Sequence, residues 1–171
     1  MQEGFELLNK RFDKIYVLTL PRLHDRIAYI KKTLAGLNYE FFFGADKNDI
    51  TLEGMEKEGL YDQQVYRQFN KRPDKMSPGM FCCSLGHVRM YQATLENNYK
   101  KTLILEDDVI PLHQHFRSLP SIFSELPADH DLLYLGYEQR EHYGLKEMIK
   151  KAVYKIFPSH SVLKPGRNFF N

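Results

Sequence analysis

The run Thr102-Leu103-Ile104-Leu105, closed at once by Glu106-Asp107-Asp108, is the strongest constraint on the fold. An apolar run with no alternation suits a strand buried on both faces of a parallel sheet. In open α/β sheets, ligands gather at the carboxyl ends of such strands. Three adjacent carboxylates there repel one another unless a cation neutralises them. Two readings follow: a solvated acidic turn, or a site for a hard divalent cation bound through oxygen and shared with a phosphate-bearing substrate. A third reading, magnesium-assisted phosphoryl transfer, ranks lower because no basic residue adjoins the triplet along the chain.

The segments before the triplet fit the same architecture. Residues 14–20 (Lys-Ile-Tyr-Val-Leu-Thr-Leu) predict a strand rich in β-branched and aromatic residues, stopped by Pro21. Asp25 is placed to cap a helix whose Ile27, Ile30, Leu34 and Leu37 recur on one face, with Gly36 and Asn38 ending it. Residues 39–43 (Tyr-Glu-Phe-Phe-Phe) predict a second strand. A β-α-β unit of this kind normally yields two parallel strands. Residues 46–76 are polar and read as irregular, with a short helix over 52–59 and a mixed aromatic and basic stretch from Tyr61 to Lys75 that suits a flap or a mobile insertion.

Ser77-Pro78 is a strong helix start, and the helix is expected to run to about Asn97. Phe81, Leu85, Val88 and Leu95 are expected to share its inner face, with Ser84, His87 and Tyr91 on the neighbouring stripe and Tyr91 in the core. After the acidic triplet come a helix near 113–119, a breaker at Leu126-Pro127, a buried strand over 131–136 and a basic amphipathic helix over 145–157. Alternating strands and helices specify an α/β domain with a mostly parallel sheet flanked by helices. Thr19-Leu20-Pro21-Arg22 stands where a glycine-rich phosphate loop would be, which disfavours dinucleotide binding of the G-x-G-x-x-G kind.

Composition sets few further limits. The 171 residues are enough for one domain with a core, and a net charge of +2 gives no global field for nucleic acid, which is not expected as a partner. Cys82 and Cys83 are adjacent, a spacing that suits neither a structural disulfide nor a metal motif, so both are expected as buried small hydrophobes in a reducing compartment. No apolar stretch approaches the roughly 18 residues that span a bilayer. A cytoplasmic protein is expected, with peripheral contact to a membrane's inner face as an option through the basic tail.

Four segments together resemble glycosyltransferase family 25, which includes lipopolysaccharide-biosynthesis and collagen-type galactosyltransferases. They are Ile15 to Arg22 with Asp25-Arg26; Ser77-Pro78-Gly79 through Cys83-Ser84-Leu85-Gly86-His87-Val88-Arg89; Leu103 to Val109 with the acidic triplet; and Asp131 to Gly136. The resemblance covers residues 14–137 of a chain expected to be a single domain, and leaves 138–171 as a poorly matched basic tail. It implies a GT-A-like, Rossmann-like α/β fold. It also implies a divalent cofactor, usually Mn²⁺, and transfer of a hexose, often galactose, from a UDP-sugar to a saccharide or lipid-linked acceptor.

The resemblance also implies roles for particular residues. Asp108 and Glu106 would hold the metal, Glu standing at the first position of a D-x-D-like set. Asp107 would meet the metal, a bridging water or the ribose. Thr19, Leu20, Arg22 and Arg26 would frame the donor, either its phosphates or its base. Ser84 and His87 would contact a phosphate or hold the acidic loop. The general base is unassigned, with Glu138 and Glu141 as weak candidates. Members of the family usually extend further, so the chain is expected to be a fragment or a short relative. The alternative function is a truncated, non-catalytic module that binds a nucleotide sugar or a partner.

Overall fold

In a computed structural model, residues 2–69 and 76–136 are described. One compact unit runs to Glu125 and a second begins at Leu126. The first unit carries helix α1 (Gln2–Arg11), strand β1 (Lys14–Thr19), α2 (His24–Thr33), β2 (Glu40–Phe43), α3 (Leu52–Lys57), α4 (Gln63–Phe69), α5 (Pro78–Glu96), β3 (Thr102–Glu106), a 3₁₀ segment (His113–Ser118) and α6 (Leu119–Glu125).

The described strands form one parallel sheet in the order β2-β1-β3. Leu18 of β1 pairs with Phe42 on one side and Glu106 on the other. This is a small open α/β sheet flanked by helices, of the Rossmann-like kind. The chain winds from β1 to β2 on one side, then crosses to place β3 on the other. A topological switch point therefore falls between the carboxyl ends of β1 and β3, where open α/β sheets bind ligands.

The central strand is β1, and its residues are the most buried: Ile15, Tyr16, Val17 and Thr19 are all inside. The acidic strand differs from its expected burial on both faces. Only Leu103 of β3 is buried, while Ile104 and Leu105 are half-covered, because β3 has a single neighbour among the described strands. At the amino ends, the Asp13 carboxylate accepts the Lys100 and Lys101 N–H groups at 2.7 and 2.9 Å, tying the start of β1 to the turn before β3.

Helix α5 starts as expected. The Ser77 hydroxyl accepts the Met80 N–H at 3.2 Å with Pro78 in the first turn. Its inner face matches the expectation only in part: Phe81 is buried and Leu85 packs beside it, but Val88 and Leu95 do not follow. Phe81, Cys82, Gly86 and Met90 are buried, whereas Val88, Tyr91 and Leu95 are exposed and Cys83 is exposed rather than buried. The cause is close approach. A Cβ on Gly86 would lie 2.9 and 3.0 Å from the two methyl carbons of Leu18, so α5 crosses β1 where it has no side chain.

Other expectations need correction. Asp25 does not cap α2; Leu23 occupies that position and makes no side-chain cap bond. The segment after Asp46 is more than a polar insertion. Its Tyr61 is buried against Phe81 and Cys82, with Ile50, Leu52 and Met55 packed around them. Residues 131–136 form no strand: no ladder partner is present among the described residues, and Leu132 and Tyr134 are 65% and 81% exposed. Helix α1 was not expected at all; Phe5 and Leu8 bury its inner face. The basic helix expected over 145–157 lies outside the described residues.

Candidate active site at the strand ends

Strand β3 ends at Glu106, and the pleat sends successive side chains to opposite faces. Glu106 pairs in register with Leu18, whose side chain meets α5, so Glu106 turns toward the α5 side. There its Oε1 lies 3.4 Å from His87 Nε2. Asp107 turns the other way and is buried. Its Oδ2 accepts the Thr19 hydroxyl at 2.6 Å, and its Oδ1 accepts from Arg26 Nη1 on α2. Asp108 stands out into solvent, 64% exposed, with Oδ2 3.8 Å from Arg26 Nη1.

The three acids are thus partitioned. Arg26 supplies countercharge to Asp107, and at 3.8 Å to Asp108, from 81 and 82 residues earlier in the chain. The fold thus brings to the triplet the basic group that its sequence neighbours lack. Asp107 is committed to Thr19 and Arg26, which leaves it without the open oxygens that a direct metal ligand needs. The Arg26 guanidinium is pushed above its ordinary value, first by the hydrogen bond to Asp107 and then by that carboxylate's charge.

The remaining candidates spread around this point. Leu20 follows β1, and its carbonyl accepts the Leu23 N–H at 3.0 Å, turning the chain into α2. Residues Arg22, Leu23, His24, Asp25 and Arg26 line an open depression of about 440 Å³. Arg22 is paired: its Nε donates to Asp46, and its Nη2 donates to the other oxygen of the same carboxylate at 3.2 Å. This bidentate bond, followed by the Asn48 N–H, holds the Asp46 carboxyl below its usual range. Ser84 is exposed on α5, three residues before His87. Glu138 and Glu141 lie outside the described residues.

Two participants were missed. Asp46 fixes Arg22 and had no signal along the chain, since the pair is 24 residues apart. Cys83 lies one helical turn before His87, and its thiol belongs to the same cluster as His87 and Glu106. Local desolvation, then the Glu106 and Asp108 carboxylates, push that thiol above its ordinary value. The Cys-x₃-His spacing on a helix signals this face.

A Rossmann-like sheet with charged side chains gathered at its switch point defines an α/β protein of the class in which ligands bind beyond the strand ends. The model of glycosyltransferase family 25 (LPS biosynthesis protein) matches residues 12–168, and the chain belongs to that family. It is similar to procollagen galactosyltransferase 2 of Mus musculus, at 24% identity over 136 residues, and to that of Homo sapiens, at 25%. It is also 26% identical over 139 residues to procollagen galactosyltransferase 1-B of Xenopus laevis. Each match covers 76% of this chain but only 21 or 22% of the relative, so the chain spans about a fifth of the curated relatives it matches. No solved structure matches it.

Proposed function

We propose that this chain carries the donor site of a metal-dependent hexosyltransferase, which moves galactose from a UDP-sugar to a saccharide acceptor. The observation that carries the reading is the Thr19–Asp107–Arg26 network at the switch point. It rigidly ties β1, β3 and α2 together while Glu106 and Asp108 remain accessible beside it. The names of the relatives support galactose as the sugar.

The donor set suits a hard cation such as Mn²⁺. Asp108 and Glu106 offer oxygen ligands, and their side chains are 64% and 55% exposed. When bound, such an ion would neutralise the negative charge that builds on the departing diphosphate. This chain's own residues supply the rest. Asp107 orients Arg26, whose half-exposed guanidinium lines the depression beside the strand ends and can meet phosphate oxygens. Arg22, held by Asp46, offers a second cationic edge there. The amino end of α2 adds a favourable dipole for an anion.

Calorimetric titration of UDP into the purified chain tests the reading. Binding is expected with Mn²⁺ present and is expected to disappear in the D108A variant. Equal affinity in EDTA, or wild-type affinity in D108A, overturns it.

A further inference from the structure

We propose that Cys83, His87 and Glu106 form a binding site for a borderline-soft divalent cation of the zinc class. One ligand atom from each residue lies within 4.8 Å of the other two, and His87 Nε2 lies 3.4 Å from Glu106 Oε1. Tetrahedral zinc, with bonds of about 2.0–2.3 Å, places its N, O and S ligands about 3.3–3.6 Å from one another. The imidazole and carboxylate already have that spacing. The thiol of Cys83, exposed and within 4.8 Å of both, must draw in to complete the set.

Three features argue that this is a ligand set and not a chance meeting. Cys83 and His87 are one turn apart on α5, so the helix presents both from one face. Gly86, between them, lets α5 approach Leu18 closely, and Leu18 is the register partner of Glu106; the same contact that packs the helix brings the ligands to the strand end. The donors are thiolate sulfur, imidazole nitrogen and carboxylate oxygen, a mixture that selects zinc over magnesium, calcium or manganese. With three protein ligands the fourth position stays open to water, since Cys83 and Glu106 both reach solvent. Binding releases the thiol proton of Cys83 to solvent, and the imidazole ligates in its neutral form. The site rests on ligand chemistry and spacing; it shares Glu106 with the proposed Mn²⁺ set, so that carboxylate serves this ion when no nucleotide sugar is bound.

Cobalt(II), a spectroscopic substitute for zinc, tests it on the reduced, metal-free full chain with no nucleotide present. The expected result is one equivalent bound, with a thiolate-to-cobalt charge-transfer band in the near ultraviolet, visible bands of four-coordinate intensity, and loss of both on adding Zn²⁺. C83S should lose the charge-transfer band, H87A and E106Q should each weaken binding by about tenfold or more, and C82A should retain the full spectrum. All four variants are first checked for native far-ultraviolet circular dichroism. No charge-transfer band in the wild type, or a band that survives C83S or vanishes in C82A, overturns the proposal.

Discussion

Replacing Thr19 by valine isolates the bond that joins the ends of β1 and β3. Thr19 and Asp107 are 3% and 6% exposed, and the hydroxyl donates to Asp107 Oδ2 at 2.6 Å. Valine keeps the volume and the β-branch but removes the donor, and at this depth water has little room to replace it. A hydrogen bond to a charged group contributes about 1.5–3 kcal/mol. At about 2–4 °C per kcal/mol for a chain of this size, T19V should lower the melting temperature by about 3–12 °C. Serine is the control: it keeps the hydroxyl and loses one methyl, a cost near 0.8 kcal/mol. Thermal melts by circular dichroism should therefore rank wild type above T19S and T19S above T19V. A T19V protein as stable as T19S, or more so, would show that the Thr19–Asp107 bond contributes nothing and that packing holds the strand ends there.

Two further perturbations follow from the same geometry. Gly86→Ala relieves a helix penalty of about 1 kcal/mol but drives a methyl to 2.9 Å from Leu18, an overpacking that costs about 1–3 kcal/mol. Urea unfolding should find G86A between neutral and about 2 kcal/mol less stable and G86V clearly worse; a G86V protein as stable as wild type would refute the close approach. Arg22 depresses the Asp46 carboxyl from its ordinary 3.8. The ion pair's contribution to stability is then complete above that value and is lost as pH falls through the lowered folded value. Carboxyl-carbon NMR should show Asp46 titrating below its ordinary range and returning toward it in R22A, and an unmoved titration in R22A would remove Arg22 as the cause.

Much of the fold was legible along the chain because it is written in local patterns. The β1 and β2 runs, the Ser77-Pro78 start of α5 and the breaker after α6 each depend on neighbouring residues. The inner face of α5 was read correctly at Phe81 and Leu85 but misread beyond them for a physical reason: hydrophobic periodicity weights large side chains such as Val88 and Leu95, while close packing on β1 selects Gly86, which has none to count. Helix α1 was missed because its apolar positions, Phe5, Leu7 and Leu8, are few among polar residues. The run over 131–136 has strand composition, but composition supplies no hydrogen-bonding neighbour, and a strand exists only in a ladder.

The site divides along the same line. That Thr19, Arg26 and the acidic triplet fall at the carboxyl ends of parallel strands was legible; that Thr19 and Arg26 bond Asp107 was not. Which acid does what was not, because that depends on register. With Leu18 opposite Glu106, Thr19 falls beside Asp107, and the pleat then assigns Asp107 to the α2 side and Glu106 to the α5 side. A slip of one residue would exchange these faces, put Glu106 under Arg26 and strand His87 without its carboxylate. The triplet's chemistry therefore resides in the pairing of β1 with β3 as much as in its own three residues.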